Sequence, residues 1–260
     1  MKRFLSSLLV LVMLLSCLSV SAAFADTAKT SGVDIVIVLD QSNSMRQDDN
    51  PNNAASNDFQ GYRFDAAQML VAMAESKESR VAVVPFNRGV LTGFADTGFV
   101  DINNLNSRNT KITSIGKIGG LNGGTDYGEA LAYAFNLIQR RSDKTNQPMI
   151  VLLTDGKNAP SPSVTKKLYA WDEGRQEFTQ SGSEKLVQVA EADALAMEVA
   201  QKASEYNIPI YTVALYNANK INDEETQTFR NQLETYAGMT GGKFVFPVNL
   251  IVTQPQREYI

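Results

Sequence analysis

The chain has 260 residues, a formal charge of −4 and an ordinary apolar content, which is room for one sizeable α/β domain and short of two. It contains no histidine, which excludes Ser-His-Asp and Cys-His hydrolases, HExxH zinc peptidases and every imidazole general base. With a negative balance and no long basic run, nucleic acid is not an expected partner.

Lys2 and Arg3 precede an apolar stretch from Phe4 to about Val20, and Ala23-Phe24-Ala25 fits a small-residue cleavage site. Residues 1–25 therefore read as a secretory signal peptide, which makes the protein secreted or extracytoplasmic. An uncleaved membrane segment competes, although the stretch is at the short end of a bilayer span. Leu14-Leu15-Ser16-Cys17 resembles a bacterial lipoprotein cleavage box, giving a lipid anchor at Cys17 as the alternative. That reading ranks second, because Leu18, Val20 and Phe24 are apolar where a polar tether is expected. Cleavage after Ala25 leaves no cysteine, hence no disulfide and no thiolate metal site.

A polar linker over 26–32 leads to Val33-Asp34-Ile35-Val36-Ile37-Val38-Leu39-Asp40, a near-continuous apolar run that predicts a strand buried on both faces. Arg46 to Gly61 reads as a loop, and Arg63 to Ser76 as a helix with Phe64, Ala67, Leu70 and Met73 on one face. Arg80 to Phe86 is a second buried strand, and Val90 to Phe94 a short edge strand or hairpin partner. Ile102 to Ile118 carries a partial helical stripe. Gly119 to Gly124 is a permissive loop, followed by a helix from Asp126 to about Arg141 with Thr125 as its N-cap. Met149 to Thr154 is a third buried strand, ending in Asp155-Gly156. An insertion over about 157–183 holds Tyr169, Trp171 and Phe178, with Asp172 to Arg175 as a candidate hairpin turn. A helix from Glu184 to Tyr206, a strand from Ile208 to Leu215, a helix from Asp223 to Ala237 and a strand from Gly242 to Val248 complete the pattern. The alternation predicts an α/β fold with a doubly wound, mostly parallel sheet and helices on both faces.

In such sheets, ligands bind beyond the carboxyl ends of the strands at the switch point. Asp40 ends one apolar strand and Asp155 follows another. Ser42 and Ser44 follow Asp40 at alternating positions, and Thr125 follows a double glycine. If the strands are neighbours, Asp40, Ser42, Ser44, Thr125 and Asp155 converge as five oxygen donors suited to a hard cation such as Mg²⁺.

The Asp-x-Ser-x-Ser of Asp40 to Ser44, the Gly-Gly-Thr-Asp of Gly123 to Asp126 and the Thr-Asp-Gly of Thr154 to Gly156 resemble the three motifs of von Willebrand factor A (VWA) domains. Together they resemble that family's metal-ion-dependent adhesion site, over a domain of about 33–254 with a short tail over 255–260. The resemblance implies that Ser42 and Ser44 bind a divalent cation directly, Mg²⁺ first with Mn²⁺ or Ca²⁺ as alternatives. It implies that Thr125 binds directly or through water, and that Asp40 and Asp155 act largely through bound water. It also implies a protein or peptide partner whose carboxylate completes the coordination.

Further readings accompany the motifs. The acidic loop from Asp48-Asp49-Asn50 to Asn57-Asp58 is either solvated or a second, Ca²⁺-type site. Tyr169, Trp171 and Phe178 are either partner-contacting anchors on the rim or a mini-core within the insertion. After the last strand, Leu250 to Ile260 with Pro255 is a poor match to the closing helix usual in the family. Function reads as a secreted, metal-dependent binding module for adhesion or scaffolding, not an enzyme. The alternatives are a Mg²⁺-dependent phosphoryl-transfer or hydrolytic enzyme, and a structural surface protein stiffened by its cation.

Overall fold

The computed structural model describes residues 32–45, 57–58, 61–74, 78–92, 98–119, 123–215 and 224–246. The expected signal peptide over 1–25, Cys17, most of the expected linker, Asp48 to Asn50 and the segment after Phe246 lie outside the described residues.

The apolar runs become strands. β1 (Val33–Asp40), β2 (Arg80–Phe86), β3 (Val100–Asp101) and β4 (Gln147–Thr154) are joined by β7 (Ile210–Ala214) and β8 (Phe244–Val245). They form one sheet in the order β3-β2-β1-β4-β7-β8, parallel throughout except for the antiparallel β2–β3 pair. Chain order reverses between β1 and β4, so the switch point lies between their carboxyl ends.

Among the described residues, five helices cover the sheet: α1 (Tyr62–Met73), α2 (Leu105–Ile115), α3 (Tyr127–Arg140), α4 (Val189–Glu205) and α5 (Glu224–Thr240). Side chains alternate along β1. Val36 and Val38 pack with Phe135, Val199 and Phe229 from α3, α4 and α5, whereas Ile35, Ile37 and Leu39 pack with Phe64, Leu70 and Ile115 from α1 and α2. Burial on both faces is why the run is apolar throughout, and each such side chain contributes about 1.5–3 kcal/mol. At the amino end of β1, the buried Asp34 accepts from Arg80 Nη2 at 2.6 Å and Asn146 Nδ2 at 2.9 Å, with Arg141 Nε at 3.3 Å.

Several boundaries differ from the sequence reading, each for a local reason. α3 is capped by Asp126, whose carboxylate accepts from Glu129 N at 3.0 Å. Thr125 instead exchanges backbone hydrogen bonds with Ala159. The edge strand is Val100–Asp101, while Val90 makes only an isolated bridge to Phe86. The insertion is a hairpin, β5 (Thr165–Asp172) and β6 (Glu177–Leu186). Its turn follows Asp172, whose Oδ1 accepts from Gly174 N at 2.9 Å and Arg175 N at 3.1 Å. Glu184 to Leu186 belong to β6 because Leu186 pairs with Thr165. α4 therefore starts only where Glu191 Oε2 accepts from Gln188 N at 3.0 Å.

The hairpin lies along α3. Asn136 donates to Phe178 O at 2.7 Å and accepts from Phe178 N at 2.8 Å. Arg140 pairs with Glu177 at 2.7 Å, and Lys166 donates to Asp126 Oδ2 at 2.7 Å.

Candidate metal centre

Asp40 is the last residue of β1, and its two oxygens are committed differently. Oδ1 accepts from Ser42 N at 2.7 Å, folding the chain back into a tight loop. Oδ2 accepts from Thr154 Oγ1 at 2.6 Å, which ties the ends of β1 and β4 together. The next residues form a short 3₁₀ turn, Asn43–Met45. This brings Ser42 Oγ within 3.0 Å of Ser44 Oγ. Ser44 Oγ in turn donates to Asp155 Oδ1 at 3.0 Å.

Four of the five sequence-expected residues thus form one hydrogen-bonded series across the switch point. Thr125 lies on the adjacent loop. Gly124 in that loop has φ +93°, and a Cβ there would meet Arg88 Cβ at 3.0 Å and Ser161 N at 3.2 Å. Glycine is needed at that position for both reasons. A Cβ on Gly123 would stand 3.5 Å from Asn43 Nδ2, so this loop borders the serine loop.

Asp40, Asp155, Ser42 and Thr125 are all buried, while Ser44 is half-buried and Asn43 exposed. The site is a buried pair of carboxylates opening to solvent past the serine loop. Burial pushes the Asp155 carboxyl up to about 7, with the nearby Asp40 charge adding to the shift. Asp40 is also raised by burial, against the hydrogen bonds from Thr154 and Ser42. Among the described residues, no Lys or Arg forms an ion pair with either acid.

The donor set is two carboxylates and three hydroxyls, all oxygen. Among the described residues, no group of three His, Cys, Asp or Glu gathers anywhere, so thiolate- and imidazole-preferring metals have no site there. Oxygen-only donors with mainly neutral hydroxyls fit a hard cation such as Mg²⁺.

Four contributors escaped the sequence reading. Thr154 stands within Thr154-Asp155-Gly156, but its hydrogen bond to Asp40 comes from the other strand end and leaves no mark in the motif. Asn57 donates its side-chain amide to Asp155 Oδ2 at 2.9 Å and its backbone N–H to Ser44 O at 2.8 Å. Arg63 and Gln41 support the serine loop from below. The second-cation reading fails at Asp58, which pairs with Arg63 at 2.6 Å, each 1% exposed. A buried guanidinium already takes that charge, so the solvated reading fails there too.

Of the three rings read as rim anchors or a mini-core, Tyr169 and Trp171 are half-buried and Phe178 is enclosed. Phe178 is buried, and Trp171 packs edge-on against Phe178 and Phe135 at centroid distances of 5.2 and 5.7 Å. Tyr206, which caps the end of α4, meets both Phe135 and Trp171, and Tyr169 is half-buried against the same core. These rings fasten the hairpin to α3 and α4.

Residues 35–157 match the family model of the von Willebrand factor type A domain, a span that includes all five site residues. Solved structures share the fold. The PilB minor pilin from Streptococcus sanguinis aligns at 19% identity with a TM-score of 0.54, covering 86% of this chain and 59% of that one. An adhesive tip pilin from Group B Streptococcus agalactiae aligns at 13% identity with a TM-score of 0.56, covering 82% and 94% respectively. A von Willebrand factor type A protein from Catenulispora acidiphila aligns at 17% identity with a TM-score of 0.50, covering 84% and 39%. The chain therefore spans about three-fifths of the length of that minor pilin. Comparison with curated proteins gives no match. The fold is a VWA-like α/β domain.

Proposed function

We propose that this protein is a secreted or surface-exposed, metal-dependent binding module of adhesion or scaffold type. In this reading Asp40, Ser42, Ser44, Thr125 and Asp155 hold a divalent cation, Mg²⁺ in the first place. The observation that carries it is the continuous series from Asp40 through Ser42 and Ser44 to Asp155 at the switch point, with the Thr125 loop at its border. A bound cation would supply the charge that two neighbouring buried acids lack, relieving their mutual repulsion. Hydroxyl ligands leave part of its charge unspent, so an acidic group of a protein partner is the matching ligand. Pilins and an adhesive tip protein among the structural neighbours support both the adhesive role and an extracytoplasmic location.

The Mg²⁺-dependent enzyme alternative calls for a nucleophile or base beyond the cation's own shell. Among the described residues, the side chains that hydrogen-bond to the two acids are Ser, Thr and Asn. The test is calorimetric titration with Mg²⁺ and capture of envelope proteins in Mg²⁺, in EDTA and with Asp155→Ala. The reading expects cation binding and partner capture only by the wild type in Mg²⁺. Cation binding that alters stability but no capture would favour the structural role, and phosphoester turnover would favour the enzyme.

A further inference from the structure

Beneath the serine loop lies a charged group that cation binding itself does not call for. Arg63 stands in the first turn of α1, 1% exposed, and is paired with Asp58 at 2.6 Å. Asp58 also accepts from the backbone of Tyr62 at 2.6 Å and Arg63 at 3.2 Å, fixing the start of the helix. The guanidinium lies over the Phe64 ring at 4.2 Å, so its plane is held. Its two Nη groups also reach the two ends of one loop. Arg63 Nη1 donates to Met45 O at 2.8 Å and Arg63 Nη2 to Gln41 Oε1 at 3.2 Å. Gln41 precedes Ser42 and Met45 follows Ser44, so one rigid fork grips both flanks of the segment carrying the two hydroxyls. The residue before Asp58 completes the arrangement, since Asn57 holds Ser44 O and Asp155 Oδ2.

We infer that Arg63 is a positioning residue that fixes the spacing of Ser42 and Ser44 and thereby makes the site select Mg²⁺ over Ca²⁺. This rests on the proposed cation site. Mg²⁺ demands near-octahedral oxygens at about 2.0–2.1 Å, whereas Ca²⁺ accepts six to eight at about 2.3–2.6 Å in adaptable geometry. A loop held at both ends favours the demanding ion, and a loosened loop penalises it more. A change of charge near the site acts on both divalent ions alike. The ratio of the two affinities therefore separates positioning from electrostatics.

The experiment titrates the whole protein with Mg²⁺ and, separately, with Ca²⁺, for the wild type, Arg63→Lys, Gln41→Met and Arg80→Met. Lysine keeps the charge beside Asp58 but has no planar fork to span two acceptors. Gln41→Met frees one flank and leaves Arg63 and Asp58 paired. Gln41 Nε2 has no hydrogen-bond partner, so methionine strands no acceptor there and leaves only Arg63 Nη2 without its acceptor, at a cost of about 1–3 kcal/mol. Arg80 lies at the opposite end of the strands and serves as the control. Loss of an outer-shell support costs about 10–100-fold in metal affinity, so Mg²⁺ affinity should fall by at least about tenfold in both loop variants. Ca²⁺ affinity should change by much less, and Arg80→Met should leave the ratio unchanged. In EDTA, backbone amides of Ser42 and Met45 should exchange hydrogen several-fold faster in Gln41→Met than in the wild type. A wild type that binds neither ion removes the cation site and this inference with it. A wild type that binds, with an unchanged Mg²⁺-to-Ca²⁺ ratio in both loop variants, overturns the inference alone.

Discussion

Replacing Asp155 with Asn should make the cation-free protein more stable, although it removes a residue of the proposed site. Asp155 is ordinary in the unfolded chain, near 3.8, and is pushed up to about 7 in the folded one. Its folded value is raised, so the stability contributed by the protonated acid is complete below about pH 4, declines to pH 7 and is absent above. At about 1.4 kcal/mol per unit, ionising it in the fold at pH 8 costs about 4 kcal/mol. Asparagine is nearly isosteric and carries no charge. It keeps an oxygen for Ser44 Oγ, and it can donate to Asn57 Oδ1, which has no partner, once that amide turns over. Allowing about 1 kcal/mol for poorer hydrogen bonds, the gain should be about 2–3 kcal/mol. Urea unfolding at pH 8 in EDTA measures it, and Trp171, the single tryptophan, is the fluorescent reporter. In saturating Mg²⁺ the order should reverse, because the wild type gains by binding and the variant does not. A variant less stable than wild type by more than about 1 kcal/mol in EDTA, or equally stabilised by Mg²⁺, would refute the reasoning.

Three further outcomes follow from the packing. Phe135→Ala empties the centre of the ring cluster formed with Trp171, Phe178 and Tyr206. It should lose about 3–5 kcal/mol and redden Trp171 emission before global unfolding. Gly128→Ala puts a Cβ 2.5 Å from Ala192 O on α4, and the forced separation of α3 and α4 should lose about 1–3 kcal/mol in chemical denaturation. Asp126→Ala removes the α3 cap and one partner of Lys166, with an expected loss of about 1–2 kcal/mol, whereas Asp126→Asn should recover most of the capping share.

The parts of this molecule that could be read from sequence are those whose cause is local or periodic. The runs at Val33 to Asp40 and Met149 to Thr154 announce strands because both faces are buried, and their terminal acids mark the switch point. The Asx turn after Asp172 has its cause within three residues. Cap assignment at α3 failed by one position, because Thr125 and Asp126 are both good caps by type. Only the backbone pairing of Thr125 with Ala159 decides between them. The start of α4 is not legible in the sequence, because Glu184 to Leu186 suit a helix by composition, whereas Thr165, far back in the chain, claims them for β6. Arg63, Gln41 and Asn57 left no signal at all. Their roles arise from contacts between a loop, a helix start and a strand end, and neither period nor spacing encodes such meetings.

The two aspartates of β1 give the domain a direction. At one end Asp34 is matched by two arginines and an asparagine. At the other, Asp40 faces another acid and hydroxyls. Charge is closed at the first pole and left open at the second, about 20 Å away along the strand. The chain enters β1 from Gly32 at the closed pole, on the side opposite the serine loop. Attachment at that side, in a tethered form of the domain, would place the open pole outermost. Orientation is thus built into the strand itself, before any partner is met.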